Sequence, residues 1–508
     1  MKSSPVDIIF HDQSQIEIRT QFKVPNILKN KQAAHFQQDM FVFIPNSFGL
    51  DKESYPKDEF FRSLTHFIRL KTPKFLEAEE REQALIDLIM PTFWTESLDK
   101  HVITHAQDVV TEVRLFGTYV NDQLKKVVAG QNLQKSELRF MHVVNMVRTF
   151  RRVMDECVSL PGEPLGEDVR KGLLYIDEFI SNRLEETVAQ LVSRGSGVET
   201  VLPDEFARRE KMGYLQVLTE GDNEVPKEGH REMYLYRMGR LKKYVFEVLY
   251  LEVDRVRKDK AATHMSAALG AAIAACLNAI LNPTSANSSM HWVAQQFSNS
   301  LSLMIGVVVL MYVFQDRAKD YLRDVFIKKF KSWVADYSFS IVNPNGMKIG
   351  RCQENFQYRS IKTIDQDVAE LRNAHEDDLL RFGNTEEIVH YGRRMKIKTE
   401  ALRNLYKNTH SLMDVLHYDL QPFISKLSDS VRVDRFFNRS LKTVAVALPK
   451  VYHVNVVIRH RVLDAGKRTL EQYFFRARVV MDKSGIKRVE KVEPENPVIL
   501  PSIELSPN

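Results

Sequence analysis

His375-Glu-Asp-Asp378, His390 and Asp414-Val-Leu-His417-Tyr-Asp419 form the densest grouping of imidazole and carboxylate side chains in this sequence. Brought together by a fold, they would suit a divalent metal and a metal-activated water, the chemistry of a hydrolase. His375, Asp378, His390 and His417 are therefore the candidate metal ligands. Spread along loops, the same residues read as a solvated acidic surface. His101 and His105 lie four apart on an expected helix, with Asp108 a turn later. That spacing aims two imidazoles one way, at a metal or simply at solvent. His11-Asp12 and Glu400-Ala-Leu402 share letters with metal-dependent phosphodiesterase motifs but lack the accompanying ligands. His453 and His460 are oddly spaced on one expected strand, so they face opposite ways. Gly466-Lys467 lacks the upstream glycine of a phosphate-cradling loop, and no G-x-S-x-G or H-E-x-x-H occurs. No catalytic residue and no cofactor-binding residue is expected.

The C-terminal basic residues make a second constellation. Arg459 and Arg461 share one face of an expected strand, as do Arg476 and Arg478 on the next. Lys487 and Arg488 lie beside the following turn. Paired in register, these strands give a cationic face for the phosphates of lipid headgroups or for an acidic protein. Nucleic acid is the less favoured partner, since Tyr473 and Phe475 are expected to face inward rather than stack on bases.

Residues 261–315 contain no Lys, Arg, Asp or Glu, although charged residues make up 27% of the chain. Two apolar runs in this stretch, about 261–281 and 293–314, have the length of a bilayer-crossing helix. They are read as a transmembrane helical hairpin. Ala267, Gly270, Ala271, Ala274 and Ala275 place small residues at four-residue spacing in the first run, a pattern for helix packing in a membrane. Basic residues flank both ends: Lys242, Lys243, Arg255, Arg257, Lys258 and Lys260 before, Arg317, Lys319, Arg323, Lys328, Lys329 and Lys331 after. The positive-inside rule then puts both termini in the cytoplasm. The net charge of +6 and three scattered cysteines, Cys157, Cys276 and Cys352, fit a reducing compartment and contact with anionic lipid. No secretory signal is expected at Met1–Phe10.

Periodicity fills in the elements around these features. Strands are expected at Asp7–Phe10, Gln15–Val24 and Met40–Ile44. Helices are expected over 57–71, 75–89, 96–128, 134–159, 167–193 and 229–260. Asn343-Pro-Asn-Gly346 marks a hairpin turn between Tyr337–Val342 and Met347–Tyr358. A strand is expected at Ile388–Ile397 and a helix over Thr399–Leu427. Strands follow at Leu441–Leu448, Val451–Val462, Thr469–Met481 and Ile486–Val492. The expected class is an α+β membrane protein. It comprises an N-terminal β segment (1–50), a cytosolic helical bundle (51–260), the transmembrane hairpin (261–315), a basic helix with a mixed α/β region (316–440), C-terminal β hairpins (441–493) and a tail (494–508).

Four segments carry a resemblance: Tyr236-Arg-Met-Gly-Arg-Leu-Lys-Lys-Tyr-Val-Phe246, Phe314-Gln-Asp-Arg-Ala-Lys-Asp320, Met347-Lys-Ile-Gly-Arg351 and Val451-Tyr-His-Val-Asn-Val-Val-Ile-Arg459. They resemble an uncharacterised family of bacterial two-span inner-membrane proteins. The resemblance implies a bacterial inner membrane, but no activity and no functional residues. The expected role is a membrane-anchored, cytosol-facing interaction or scaffold protein that is non-enzymatic and homo-oligomeric. Its expected partners are the lipid bilayer and an acidic protein or anionic lipid. The alternatives are a metal-dependent hydrolase acting near the membrane on a phosphorylated or lipid substrate, and an oligomeric transporter or channel component.

Overall fold

The computed structural model describes residues 4–25, 33–72, 82–98, 105–159, 166–216, 228–257, 335–343, 346–374, 386–403, 411–464 and 466–492, with Leu405 and scattered positions between 268 and 321. The chain divides into two compact units. One is Met1–Phe67, Glu252–Ala401 and Asp414–Asn508; the other is Ile68–Leu251 and Leu402–Met413.

A long antiparallel sheet dominates the first unit. Its strands are β1 (Val6–Phe10), β2 (Gln15–Lys23), β3 (Ala33–Pro45), β4 (Leu64–Leu70), β5 (Tyr250–Arg257), β6 (Tyr337–Val342), β7 (Lys348–Arg359), β8 (Glu386–Lys398) and β9 (Ser411–Asp419). A separate exposed hairpin, β10 (Val431–Phe437) and β11 (Thr443–Pro449), precedes β12 (Tyr452–Leu463), β13 (Thr469–Asp482) and β14 (Gly485–Val492). The sheet runs β1-β2-β9-β4-β5-β6-β7-β8-β3-β12-β13-β14. Its two ends approach each other: Ile486 N donates to Gln13 O at 2.7 Å, and Lys491 Nζ lies 2.5 Å from Asp7 Oδ1. The result is a nearly closed, barrel-like sheet of twelve strands. N- and C-terminal strands meet directly, with Val42 of β3 opposite Val456 of β12.

Alternation sorts the side chains onto two faces. Ile8, Ile18, Met40, Val42, Tyr391, Tyr418, Val456 and Val479 fill the inner face. Phe41, Phe43, Ile388 and Val457 point outward and pack with Val368 and Leu371 of helix α9 (Gln366–Asn373). Strand β3 is thus buried on both faces. That is why Phe41-Val-Phe-Ile44 is a continuous apolar run rather than an alternating one. At the β6–β7 turn, Gly346 takes φ +77° and donates to Asn343 O at 2.9 Å, a conformation that favours glycine.

Helix α1 (Lys57–Arg62) belongs with the sheet. The second unit is helical: α2 (Glu82–Ile89), α3 (Pro91–Leu98), α4 (Ala106–Ala129), α5 (Leu133–Val158), α6 (Glu167–Val192), α7 (Leu202–Met212) and α8 (Glu228–Phe246). Asn132 caps α5 by accepting from Lys135 N at 3.0 Å. Gly213, at φ +69°, ends α7 and lets Tyr214 N reach Arg209 O at 2.9 Å. Phe116, Phe140, Phe150, Ile176 and Leu184 lie in the common core. A charged knot sits beside it. Arg151 bridges Asp177 Oδ1 (2.7 Å) and Glu205 Oε2 (2.9 Å), and Asp177 Oδ2 also accepts from Arg208 Nε (2.6 Å) and the Tyr214 hydroxyl (2.9 Å).

This architecture overturns the expected fold. Among the described residues no helix is long and apolar enough to cross a membrane. The chain is organised by a barrel-like sheet whose strands come from both sides of the charge-free stretch, not by a transmembrane hairpin between separate cytosolic pieces. The expected two-span inner-membrane address loses its support with the hairpin. The runs 261–281 and 293–314 lie mostly outside the described residues, as do Ala267, Gly270 and Ala274. Ala271 and Ala275 are helical and exposed. A hydropathy window measures a segment's preference for an apolar surrounding. It does not say how the flanking chain is built. Three local expectations also fail. Residues 250–257 form β5 within the expected helix 229–260, because Phe246 ends α8 and the chain turns into the sheet. Residues 64–70 form β4 rather than the end of a helix, and 411–419 form β9 within the expected helix Thr399–Leu427.

Candidate functional site

Four strands of the first unit build a polar pocket on the outer face of the sheet. Its registers stack three rows across β7, β8, β3 and β12. Gln353, Arg394, Gln37 and Arg461 form one row; Asn355, Gly392, Asp39 and Arg459 the next; Gln357, His390, Phe41 and Val457 the third. Gly392, in the middle row, supplies no side chain. A Cβ there would meet Asp39 Oδ1 at 3.5 Å and the His390 ring at 3.7 Å. The space left over this glycine is the floor of a cavity of about 480 Å³, walled by Arg359, Arg394, Arg459 and Thr363–Asp365. That volume accommodates a small ligand.

Asp39 is the anchor of this pocket. It is 3% exposed, and its carboxylate accepts from His390 Nε2 at 3.1 Å, Arg459 Nη2 at 3.2 Å and Arg461 Nη2 at 3.0 Å. Burial alone raises a carboxyl pKa. Here the bond and charge of His390 and the two guanidinium groups prevail and hold Asp39 far below its ordinary value. Arg459 also pairs with Asp365 at the head of α9. His390 stacks on Phe41, with ring centroids 4.6 Å apart and planes 11° from parallel. These groups are satisfied among themselves. The groups left over differ in kind. Arg359 and Arg394 have no side-chain partner among the described residues, and Asn355 Oδ1 is buried without a hydrogen bond. Arg359, Arg394 and Arg459 outnumber Asp39 and Asp365, so the cavity is net cationic.

The inner face carries a second grouping of charges. His66 Nε2 lies 3.1 Å from Glu354 Oε1, and its Nδ1 lies 3.8 Å from Asp414 Oδ1. Arg255 Nη2 reaches Glu354 Oε2 at 2.8 Å, Tyr391 donates to Glu354, and Arg393 pairs with Asp414. The side chains of His66, Glu354, Arg393 and Asp414 are all 5% exposed or less. Burial pushes the neighbouring Cys352 thiol up to about 12, so it is not a thiolate nucleophile. Burial, helped by the Arg393 charge, pushes His460 down to about 4, leaving a neutral imidazole. We read this network as structural, since its central side chains are closed to solvent. His66 Nδ1, Asp414 Oδ1 and the Arg393 Nε and Nη2 atoms are buried without a hydrogen bond among the described residues.

The linkage of these groups has a definite sign. Asp39 and Glu354 ionise in the folded chain well below their ordinary values of 3.8 and 4.5, Glu354 because His66 and Arg255 outweigh its burial. Their contribution is present in full above those values and is lost as pH falls through them. His66 is raised above 6.5: burial opposes its charge, but Asp414 and Glu354 prevail. Its contribution is complete below 6.5 and is lost as pH rises through its folded value. His460, lowered to about 4, acts in the opposite sense to His66: its contribution is present above 6.5 and is lost as pH falls towards 4. The unfolding midpoint is therefore expected to fall steeply below about 4.5, where Asp39, Glu354 and His460 all lose their contributions together. Asp39→Asn should flatten the acid limb. A pH series of melting curves on both proteins checks this, and parallel acid limbs would refute it.

The sequence-derived candidates disperse. His375 and Asp378 lie outside the described residues, as does His101. His390 belongs to the Asp39 pocket. His417 faces His11 and Glu17 instead of the other candidates. His105 pairs with Glu96 at 2.9 Å. Of the basic residues expected to form a cationic face, Arg459 walls the cavity, with Arg461 beside it. Arg476 is fully buried and donates to the Leu371 and Ala374 carbonyls at the end of α9 and to Asn455 Oδ1 (3.0 Å). Arg478 and Arg488 share Glu490, and Lys487 pairs with Asp482 at 3.2 Å. Asp39, Arg359, Gly392 and Arg394 were not singled out by sequence, because only the pairing of distant strands makes them neighbours. Comparison with protein-family models, curated proteins and solved structures finds no match.

Proposed function

We propose that the protein is a ligand-binding module whose outer-face pocket holds an anionic group, of phosphate or carboxylate type, on a small polar molecule. One observation carries this reading. Arg359 and Arg394 flank a ligand-sized cavity without partners among the described residues, beside a buried amide oxygen that also lacks one there. A planar guanidinium offers paired donors that match a tetrahedral or planar oxyanion. The orphaned Asn355 oxygen suits a hydroxyl or amine donor on the same ligand. Asp39 sets the geometry. By fixing Arg459 and His390 it keeps the cavity walls in place before a ligand arrives, which lowers the ordering cost of binding.

Isothermal titration of the full chain with inorganic phosphate and with pyrophosphate tests the proposal. Saturable one-to-one binding that weakens with added salt is expected. Arg359→Ala and Arg394→Ala each remove a charge-assisted contact of about 1.5–3 kcal/mol, a loss on the order of 10- to 100-fold in affinity. Both side chains lie at the solvent-facing wall, so the unfolding midpoint should hold. Equal affinity in both variants and wild type would reject the pocket as the binding site.

A further inference from the structure

We infer that His11, Glu17 and His417 form a binding site for a transition-type divalent cation, with zinc the best fit. This triad lies on β2, β9 and the β1–β2 turn, whereas the anion pocket lies on β3, β7, β8 and β12. The two proposals therefore stand or fall separately.

The side chains converge because of strand parity. Ile16 and Ile18 point into the core, so Glu17 between them points out. Leu416 and Tyr418 likewise turn His417 outward on β9, beside β2 in the sheet. His11 comes from the turn that joins β1 to β2. One carboxylate oxygen receives both imidazoles: Glu17 Oε2 lies 3.4 Å from His11 Nδ1 and 3.2 Å from His417 Nε2. The three donor atoms all lie within 4.8 Å of one another. Two ligands about 2.1 Å from a zinc ion at the tetrahedral angle stand about 3.4 Å apart. The observed edges therefore already have the size of a coordination tetrahedron, and little movement is needed to admit an ion.

The surroundings hold the donors in place. The other oxygen of Glu17 accepts from Arg19 Nε, which leaves Oε2 directed at the imidazoles. This is the outer-shell contact expected behind a ligating carboxylate. Phe67 packs edge-on against His417 at 5.3 Å and fixes its ring plane. The turn bearing His11 is tied three ways: Asp12 Oδ1 accepts from Ser14 N and Gln15 N, Leu420 N donates to Ser14 O, and Ile486 N donates to Gln13 O. A loop fixed in this way loses little entropy on binding.

Two nitrogen donors and one carboxylate select the cation. Imidazole suits zinc and its neighbours, whereas calcium and magnesium prefer all-oxygen shells. Three protein ligands at a solvent-facing surface leave a fourth position for water, the open arrangement of reactive rather than purely structural zinc sites.

The test uses untagged full-length protein stripped with EDTA, so that no polyhistidine competes. Titration with Zn²⁺ should show one saturable equivalent, and Co²⁺ should give the visible absorption of a four-coordinate ion. Arg19→Ala keeps all three donors and should weaken Zn²⁺ binding about 10- to 100-fold. His11→Ala removes a donor from an exposed turn without touching the core. It should weaken binding further and abolish the Co²⁺ signal at an unchanged melting temperature. No saturable Zn²⁺ uptake by wild type, unchanged affinity in His11→Ala, or equal affinity for Mg²⁺ would each overturn the assignment.

Discussion

Arg393→Met is expected to destabilise the sheet unit by about 3–5 kcal/mol, the cost of breaking a buried ion pair from one side. Arg393 and Asp414 face each other on the inner face, with side chains 3% and 1% exposed. Arg393 also donates to Gln38 Oε1 at 3.2 Å, and Gln38 donates to Thr20 at 2.8 Å. Methionine fills a similar volume but, among the described residues, leaves the Asp414 carboxylate with only the distant His66 Nδ1. The double variant Arg393→Met/Asp414→Leu removes both charges and should recover much of the loss, because apolar replacement of a whole buried pair is often neutral. Urea unfolding of the two variants and wild type measures the difference. A double variant no better than the single one would show that the pair is not the main source of the effect.

Arg151→Met should have a comparable effect on the helical unit, again about 3–5 kcal/mol. Arg151 is 8% exposed and neutralises carboxylates from two different helices, Asp177 of α6 and Glu205 of α7. Asp177 keeps Arg208 and Tyr214 as partners, but among the described residues Glu205 keeps only the Ser181 hydroxyl at 2.8 Å. Glu205 is therefore the group left stranded. Glu205→Gln in the Arg151→Met background should restore part of the stability. Hydrogen exchange read by mass spectrometry locates the damage. Faster exchange in α5, α6 and α7 is the expected result, and unchanged protection there would refute it.

The sequence displayed some of this fold and hid the rest for physical reasons. Gln15-Ile-Glu-Ile-Arg19 alternates because β2 is buried on one face, and the structure has a strand there. The Asn343–Gly346 turn and strands β12 to β14 are equally local signals. Strand β4 was masked by coincidence. Phe60, Phe61, Leu64, Phe67 and Ile68 fall at helical spacing, although only Lys57–Arg62 is helix. Strand β9 was masked by its own charge. Leu412, Asp414, Leu416 and Tyr418 alternate inward, but a buried aspartate breaks the apolar pattern, and Leu412 and Leu416 share a face in a helix as well as in a strand.

The candidate site was legible only at its rim. The alternation of Arg459 and Arg461 put them on one face, and both do hold Asp39. Asp39 lies 420 residues from Arg459 in sequence, and nothing local couples them. The metal triad divides the same way. His417 stands out in a His- and Asp-rich segment, whereas Glu17 and His11 become its neighbours only through the placing of β2 next to β9. The charge-free stretch misled for a different reason. Its composition speaks to the surroundings of that segment alone and not to the architecture of the whole chain.

The pocket above Gly392 carries the functional account, and filling it is the most direct test. Gly392→Val adds a branched side chain to the cavity floor at a β-strand position where such residues are favoured, and a Cβ there meets no atom closer than 3.5 Å. Phosphate titration of wild type and Gly392→Val should show saturable binding in the first and none in the second, with unfolding midpoints that agree. Equal phosphate affinity in the two proteins, or no binding to wild type, would contradict the assignment of this pocket as an anion site.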